Sequence, residues 1–257
     1  MSESYAPRRD GGKRREGAFD LLTLMGHVSQ PTPLEAALRA RHAVREERFT
    51  HGAFDVRVLL PRAAEELIDE AEFDRDERLP YWADLWPSAR ALARHLLDRR
   101  QPPAGRAVEL GCGVALPSLA LRSMGASVIA TDYYDEALEF ARANAERNGI
   151  PPLPTLNLDW RRPPDTEPFD LVVAADVLYE RRNAEALRDL LPRITRAGGE
   201  VLLADPGRVY LGDFREMMLD RGWLVESAAV REEHTPSEGR TLTSKVGILR
   251  LCPPRRG

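Results

Sequence analysis

The chain has 257 residues and a formal charge of −4 at pH 7, and this length suits one large domain. The negative charge gives no electrostatic support for nucleic-acid binding, and two cysteines cannot form a disulfide framework or a metal-ligand cluster. No apolar run approaches the roughly 20 residues of a membrane helix, and the N-terminus lacks the apolar segment of a secretory signal. We therefore expect a cytoplasmic protein without a nucleic-acid partner, a membrane partner or a bound metal.

The N-terminal part of the chain shows less regular patterning than the remainder. Residues 1–18 are polar and charged, and we expect them to form a disordered tail. Helical spacing follows at 34–44 and at 63–73, and a strand pattern that ends in proline lies at 54–61. An amphipathic helix is predicted over 88–99, after an aromatic-rich stretch. These segments predict an N-terminal extension made of helices and a strand.

From residue 101 onwards, strand patterns and helix patterns alternate. Such alternation predicts a parallel sheet with helices on both faces, and two successive strands at the end predict an antiparallel edge. The predicted fold class is α/β: a doubly wound, Rossmann-like, seven-stranded and mostly parallel sheet with an antiparallel edge strand. The predicted strands are 106–110, 127–132, 153–160, part of 169–179, 198–206, 223–230 and 245–252. The predicted helices are one that ends at Gly125, 134–149, 183–195 with Asn183 as its cap, and 210–222.

A glycine turn follows the first strand of this alternation, in the sequence Glu109-Leu110-Gly111-Cys112-Gly113. In an open α/β sheet, ligands bind beyond the carboxyl ends of the strands, where the strand order reverses. Glycines at such a turn let the backbone lie against a ligand, and the next helix offers free N–H groups. Glycines at this spacing also occur in tight turns that bind nothing, so the turn alone leaves both interpretations open.

Asp132 ends the second strand of the alternation, 21 residues after Gly111. A carboxylate at this position accepts hydrogen bonds from both hydroxyls of an adenosine ribose. The alternative role for Asp132 is to cap the helical segment that starts at Tyr133. Together with the glycine turn, Asp132 indicates a cofactor that contains adenosine.

The residues around the glycine turn distinguish between adenosine cofactors. A nicotinamide cofactor would favour a third glycine at the position of Leu116, and the chain lacks the lysine of a phosphate-binding loop. Glu109 lies directly before the glycines, where it would repel a pyrophosphate and attract a cationic amino group. The pattern therefore favours S-adenosylmethionine, whose methionine part carries such an amino group.

Further motifs extend this pattern along the chain. They are Pro80-Tyr81-Trp82-Ala83, Trp86-Pro87-Ser88, Leu158-Asp159-Trp160, Asp176-Val177-Leu178-Tyr179, Asp205-Pro206-Gly207-Arg208 and Leu242-Thr243-Ser244. With these motifs the chain resembles the class I S-adenosylmethionine-dependent methyltransferases, and among them methyltransferase family 16, the seven-β-strand lysine methyltransferases. Within that family it is most similar to the electron-transfer-flavoprotein β-subunit lysine methyltransferases. The resemblance covers roughly residues 55–251.

The resemblance implies S-adenosylmethionine as the cofactor and gives the glycine turn and Asp132 separate roles. Asp132 would hold the ribose of the cofactor. Residues 101–252 would form the cofactor-binding domain, and residues 19–100 an N-terminal extension and lid. The residues implied at the methionine end of the cofactor are Glu109, Gly111 and Gly113.

Four more residues are implied in the cofactor site by the same resemblance. Asp159 would accept a hydrogen bond from the adenine amino group, and Trp160 would lie against the adenine ring. Trp86 would close over the cofactor from the N-terminal side, and Ala175 would also line the site. The alternatives are that Trp160 is a core aromatic and that Trp86 is a lid residue that packs only on the protein.

Asp176 and Tyr179 are implied as the catalytic residues, next to the lysine side chain of a protein substrate. Methyl transfer from a sulfonium is an in-line displacement, so an enzyme mainly aligns the reactants and excludes water. The acceptor amine must lose its proton first, because an ammonium has no lone pair. Asp176 would orient the amine and Tyr179 would shape its channel, unless Asp176 caps the following helix. Arg208 would either hold an acidic partner surface or cross-link loops.

Two other functions fit the same cofactor motifs. A small-molecule N-methyltransferase of the nicotinamide type would need lid elements between residues 19 and 79 to cover the acceptor mouth. A cofactor-binding protein without catalysis would not need the D-x-x-Y motif, so that motif favours an enzyme. Nucleic-acid methyltransferases often have Asn/Asp-Pro-Pro-Tyr after the fourth strand, where this chain has Asp-Val-Leu-Tyr.

Overall fold

The computed structural model describes residues 30–62, 80–237 and 240–254. The chain divides into Met1–Gln30, of which only Gln30 is described, and one compact unit, Pro31–Gly257. The predicted tail at 1–18 and the predicted helix at 63–73 lie outside the described residues. In the compact unit, the described part of the N-terminal extension packs in the same core as the sheet, for example through Leu92 and Ala107. The predicted domain boundaries stay predictions.

Residues 30–62 of the N-terminal extension form one helix and a pair of antiparallel strands. These elements are α1 (Pro33–Arg41), β1 (Val44–His51) and β2 (Phe54–Pro61). Thr32 caps α1 by accepting from the Glu35 backbone N–H at 3.3 Å, and the helix begins at Pro33, one residue before the predicted start at 34. The predicted strand at 54–61 is confirmed, whereas the predicted helix over 34–44 ends at Arg41 because the chain turns into β1. β1 itself is not predicted from the sequence.

The predicted seven-stranded sheet is confirmed, with the strand order β5-β4-β3-β6-β7-β9-β8. The first five of its strands run parallel, and β9 runs antiparallel to both β7 and β8. The strand order reverses between β3 and β6, so a cleft opens at their carboxyl ends. The strands are β3 (Arg106–Leu110), β4 (Ser127–Asp132), β5 (Thr155–Asn157), β6 (Phe169–Ala175), β7 (Thr195–Asp205), β8 (Leu224–Ser237) and β9 (Arg240–Cys252).

Helices cover both faces of this sheet, as predicted. They are α2 (Pro87–Asp98), α3 (Leu116–Ser123), α4 (Asp135–Arg147), α5 (Arg181–Ile194) and α6 (Leu211–Asp220). Successive residues of β3 point to opposite faces: Ala107 belongs to the core under α2, α3 and α4, and Val108 to the core under α5 and α6. A third apolar cluster joins β1 and β2 to α3 and α4, and includes Phe49 and Phe140.

Two predictions about local structure need correction. Asn183 is not the cap of its helix, because α5 begins at Arg181 with Glu180 at the capping position. The backbone N–H of Asn183 already donates to the Glu180 carbonyl, so Asn183 lies buried inside the first turn. The third strand, predicted over 153–160, is limited to Thr155–Asn157, since the proline at 154 has no N–H to donate to a strand ladder.

The last two strands are longer than the sequence predicts. The pairing of β7 with β9 ends at Asp205 and Gly247, whereas β8 and β9 stay paired from there to Ser237 and Arg240. A two-stranded ribbon therefore extends past the carboxyl edge of the parallel strands. Within the described ranges, no helix is long and apolar enough to cross a membrane, and no three His, Cys, Asp or Glu side chains are grouped as a metal site.

Candidate active site

A cavity lies at the carboxyl ends of β3, β4 and β6, where the strand order reverses. Its volume is about 1020 Å³ with its open mouth included. The structure brings all of the predicted site residues to this one cavity. They are Trp86, Glu109, Gly111, Gly113, Asp132, Asp159, Trp160, Ala175, Asp176 and Tyr179. Further lining residues that the sequence analysis did not assign include Tyr81, Trp82, Leu85, Cys112, Tyr133 and Arg161.

The glycine turn is held closely by its neighbours in the protein. Gly111 and Gly113 have φ values of +63° and +51°, in the left-handed region that favours glycine. A Cβ on Gly113 would lie 3.0 Å from the Trp82 carbonyl oxygen, and a Cβ on Gly111 would lie 3.3 Å from Trp160 and from Val177. The two interpretations of the turn therefore hold together: the glycines satisfy a tight turn, and the turn lines the cavity.

We predict that Gly113→Ala destabilises the protein by about 2–3 kcal/mol, because it combines a strained φ with a clash against a carbonyl. Gly52→Ala is a matched control. Gly52 has a φ of +57°, and a Cβ there would meet no atom within 4 Å. We expect Gly52→Ala to cost only about 1 kcal/mol, for the φ alone. Urea denaturation measures both values, and equal losses would show that the contact with Trp82 does not matter.

Glu109 lies at the end of β3 with only 1% of its surface exposed. Its Oε2 accepts a hydrogen bond from the Ser118 backbone N–H in the first turn of α3 at 2.9 Å. Burial raises the pKa of Glu109 to about 8, with the nearby Asp132 carboxylate adding to the rise and the Ser118 N–H opposing it. The Ser118 N–H offsets only part of the cost of burying a negative charge at Glu109. A bound cationic group beside Glu109 would therefore stabilise the charged carboxylate.

The raised pKa of Glu109 predicts a loss of stability as the pH rises. Below pH 4.5 the carboxyl is protonated in both states; above it the unfolded chain releases the proton that the folded protein retains up to about pH 8. The full shift corresponds to about 5 kcal/mol. Glu109→Gln removes this loss, so its free energy of unfolding should rise relative to the wild type between pH 5.5 and pH 8.5. A difference that stays constant in urea denaturation over this range would contradict the raised pKa.

Asp132 connects the glycine turn to the start of α4. Its Oδ2 accepts from the Gly113 backbone N–H at 2.9 Å, and its Oδ1 accepts from the Tyr134 backbone N–H at 3.1 Å. Tyr134, and not Asp132, occupies the capping position of α4, which begins at Asp135. Asp132 is 6% exposed and lines the cavity, so its carboxylate can face a ligand while it fixes the loop.

The segment after β5 forms a further wall of the cavity. The Asp159 carboxylate accepts from the Arg161 guanidinium, with Nε–Oδ1 and Nη2–Oδ2 distances of 2.9 Å each. This Arg161 guanidinium lies over the Tyr133 ring at 5.9 Å. Trp160 is half-buried, faces Gly111 and packs against the core under α5. An adenine amino group would share the Asp159 carboxylate with Arg161, and the contacts of Asp159 and Trp160 with adenine stay predictions.

Asp176 follows β6 in a strained backbone conformation, with a φ of +58°. Its Oδ1 accepts from Arg208 Nε at 2.7 Å, and its Oδ2 accepts from the Ser88 hydroxyl at 3.3 Å. Asp176 does not cap α5, whose capping position is Glu180. Of the two roles considered for Arg208, the structure shows the cross-link: Arg208 joins the loop after β7 to the loop after β6.

Aromatic rings line the cavity beside Asp176. The Tyr81 ring lies 5.1 Å from that of Tyr179 and 6.2 Å from that of Trp86, measured between centroids. The indole N–H of Trp86 donates to the Tyr81 carbonyl at 2.8 Å, and the Arg208 guanidinium lies 5.6 Å from the Trp86 ring. Trp86 thus packs on protein groups and also lines the cavity. Tyr81 belongs to the Pro-Tyr-Trp-Ala motif, which was the sequence signal for its presence here.

Three comparisons relate the chain to known proteins. The sequence profile of the lysine methyltransferase family matches residues 75–212, just over half of the 257 residues. The chain belongs to this family. It is 39% identical over 137 residues to the electron transfer flavoprotein beta subunit lysine methyltransferase of Danio rerio, covering 52% of this chain and 53% of that protein. It is 42% identical over 134 residues to the Xenopus laevis protein of the same name, covering 50% and 53%.

The chain therefore spans about half the length of the curated relatives it matches. Among solved structures, it is similar to precorrin-6y C5,15-methyltransferase from Geobacter metallireducens, with a TM-score of 0.51 and 16% identity over 64% of this chain and 87% of that one. This likeness confirms the Rossmann-like fold. The family assignment confirms the predicted methyltransferase class and S-adenosylmethionine as its cofactor.

Proposed function

We propose that this protein transfers a methyl group from S-adenosylmethionine to the side-chain amine of a lysine in a protein. The observation that carries the proposal is the single cavity that joins two kinds of groups. The cavity is lined both by the glycine turn, Glu109 and Asp132 and by Asp176 and Tyr179. The first set suits an adenosine cofactor with a cationic amino group, and the second offers a carboxylate that can accept hydrogen bonds from an acceptor amine.

The residues present fit S-adenosylmethionine. Glu109 is a buried carboxyl that gains from a nearby cation, because burial disfavours its charged form in the free protein. Gly111 and Gly113 give a backbone surface without Cβ atoms, and the Asp132 carboxylate would accept from the ribose hydroxyls. When bound, the cofactor supplies a methyl group on a positively charged sulfur.

On the acceptor side, Asp176 would orient the amine and would not be its proton acceptor. Arg208 already occupies Oδ1 of Asp176 at 2.7 Å, so Oδ2 is the oxygen that faces an incoming amine beside Ser88. Tyr179 and Tyr81 would form an apolar wall that excludes water. Partial desolvation by these rings lowers the pKa of a lysine and favours the neutral amine that can attack, whereas the Asp176 carboxylate opposes this shift.

The shape of the acceptor end favours a protein over a small molecule. Residues 30–62 of the extension pack on α3 and α4 and contribute no residue to the cavity wall, whereas Tyr81 and Trp86, later in the extension, line it. Tyr81, which lines the cavity, is 39% exposed, and Val209, which follows Arg208 in the chain, is 78% exposed. Exposed side chains of this kind suit contact with a protein surface. A small-molecule enzyme of the nicotinamide type, the alternative, would need a cover over this end.

The partner that we propose is the β subunit of electron transfer flavoprotein, since the relatives from Danio rerio and Xenopus laevis carry that name. The test is to incubate the purified chain with tritiated S-adenosylmethionine and either this subunit or a lysate that lacks the gene. We expect label in a protein band, and methylated lysine after hydrolysis of that band. Label only in the small-molecule fraction would instead support the alternative.

A further inference from the structure

Asp176 is held in a backbone conformation that it would not adopt unaided. A positive φ at a residue other than glycine costs about 1–2 kcal/mol and persists only where the surroundings fix it. The backbone N–H of Asp176 donates to the Ala204 carbonyl of β7 at 2.9 Å. The side chain is bound on both oxygens, by Ser88 from α2 and by Arg208 from the loop after β7. Asp176 is therefore oriented by groups from three elements.

The Asp205-Pro206-Gly207-Arg208 turn sets the position of Arg208. Asp205 Oδ1 accepts from the backbone N–H groups of Gly207 and Arg208 at 2.7 Å each. Asp205 is 1% exposed, so the turn is anchored by a buried carboxylate. Gly207 has a φ of +95°, a conformation that favours glycine. The Arg208 side chain turns in towards Asp176. Val209, directly after Arg208, points outward and is 78% exposed.

The Arg208 guanidinium contacts two predicted site residues at once. It donates from Nε to Asp176 and lies over the Trp86 ring at 5.6 Å. The hydrogen bond to Asp176 is the largest cause that raises the pKa of Arg208. A planar guanidinium can pair with a carboxylate and lie over an aromatic ring at the same time. A lysine ammonium is a compact point charge and makes both contacts less well.

We infer that Arg208 is a positioning residue for methyl transfer: it holds the Asp176 carboxylate in the arrangement that receives the acceptor amine. The inference rests on the proposed function and assigns a residue to its acceptor site. Arg208 acts through Asp176, so its loss should change turnover more than cofactor binding. The hydrogen bonds that Asp205 accepts from the turn fix the backbone of Arg208.

The test compares Arg208→Met, Arg208→Lys and Arg221→Met with the wild type. Arg221 is the matched control: it has a similar exposure of 41% and pairs with one carboxylate, Asp189, which is not a predicted site residue. We expect Arg208→Met to lower kcat by about 100-fold, the effect of a misplacement near 1 Å, with the Kd of S-adenosylmethionine within about twofold. Arg221→Met should keep the wild-type kcat.

Arg208→Lys separates positioning from a general structural role. A lysine keeps a cation beside Asp176 but loses the fork and most of the ring contact, so kcat should recover about tenfold relative to Arg208→Met. No recovery, or a kcat of Arg208→Met within about threefold of the wild type, would overturn the inference. So would a rise in the Kd of S-adenosylmethionine that accounts for the whole loss of activity.

A second measurement is independent of turnover. A crystal structure of Arg208→Met with S-adenosylhomocysteine should show the Asp176 carboxylate rotated away from its present direction or its φ changed. An unchanged Asp176 in that structure would overturn the inference. If the wild-type chain methylates no protein, the proposed function fails, and this crystallographic comparison still decides whether Arg208 positions Asp176.

Discussion

Replacement of Asp132 by alanine is expected to weaken S-adenosylmethionine binding by about 100-fold or more. Hydrogen bonds to a charged group contribute about 1.5–3 kcal/mol each, and the proposed site uses the Asp132 carboxylate for two ribose hydroxyls. The same change frees the backbone N–H groups of Gly113 and Tyr134, which now donate to this carboxylate. The glycine turn should then lose its fixed position, so the affinity falls for both reasons. Isothermal titration calorimetry with S-adenosylmethionine measures the loss.

Asp135→Ala is the matched control for this prediction. Asp135 lies in the first turn of α4, its carboxylate accepts from the Asn157 side chain at 2.9 Å, and it does not line the cavity. Its removal should cost about 1 kcal/mol of stability and leave the Kd of S-adenosylmethionine within about twofold. If Asp132→Ala bound the cofactor as well as Asp135→Ala does, the ribose role of Asp132 would be wrong.

The sheet strands next to the cavity could be predicted from the sequence almost to the residue. β3 and β4 match their predicted limits because each is a short apolar run buried on both faces and bounded by polar or glycine-containing turns. The glycines at 125 and 149 both have positive φ values, +87° and +63°, directly after the helices that they were predicted to end. Local patterns suffice where burial and turn chemistry agree.

β1 could not be predicted, because its stability comes from distant partners. Its sequence is Val-Arg-Glu-Glu-Arg-Phe-Thr-His, with one fully buried side chain, Phe49. Arg94 of α2 lies over the Phe49 ring at 4.7 Å, and Arg90 pairs with Glu47. The ribbon formed by β8 and β9 past Asp205 also depends on a distant partner. Among its described residues, the buried Glu233 carboxylate pairs with Arg94 of α2 at 3.0 Å. Such ion pairs across elements leave no local pattern in the sequence.

The members of the candidate site could be predicted, but their partners could not. Residues at the carboxyl ends of neighbouring parallel strands meet at one edge of the sheet, so the motifs were expected to converge. The pairing of Asp159 with Arg161 and of Asp176 with Arg208 depends on side-chain directions that spacing does not define. The positive φ of Asp176 is of the same kind, since it is fixed by contacts with other elements.

Replacement of Asp176 by asparagine is expected to lower kcat by about 100-fold or more and to leave the Kd of S-adenosylmethionine within about twofold. Asparagine tolerates a positive φ, and its amide oxygen can still accept from Arg208, so the fold of the loop should persist. The lost group is the negative charge that would orient a cationic or partly positive amine. Turnover on the methylated protein and calorimetry with the cofactor measure the two quantities separately.

Asp213→Asn is the control for this change, because Asp213 is exposed in the first turn of α6 and does not line the cavity. It should keep the wild-type kcat. The two measurements on Asp176→Asn then have distinct meanings. A joint loss of kcat and cofactor affinity would place Asp176 in the cofactor site. Full activity would move the acceptor site away from Asp176, and the acceptor role proposed for Tyr81 and Tyr179 would fail with it. Only a loss of turnover with unchanged affinity agrees with an acceptor amine held at Oδ2 beside Ser88.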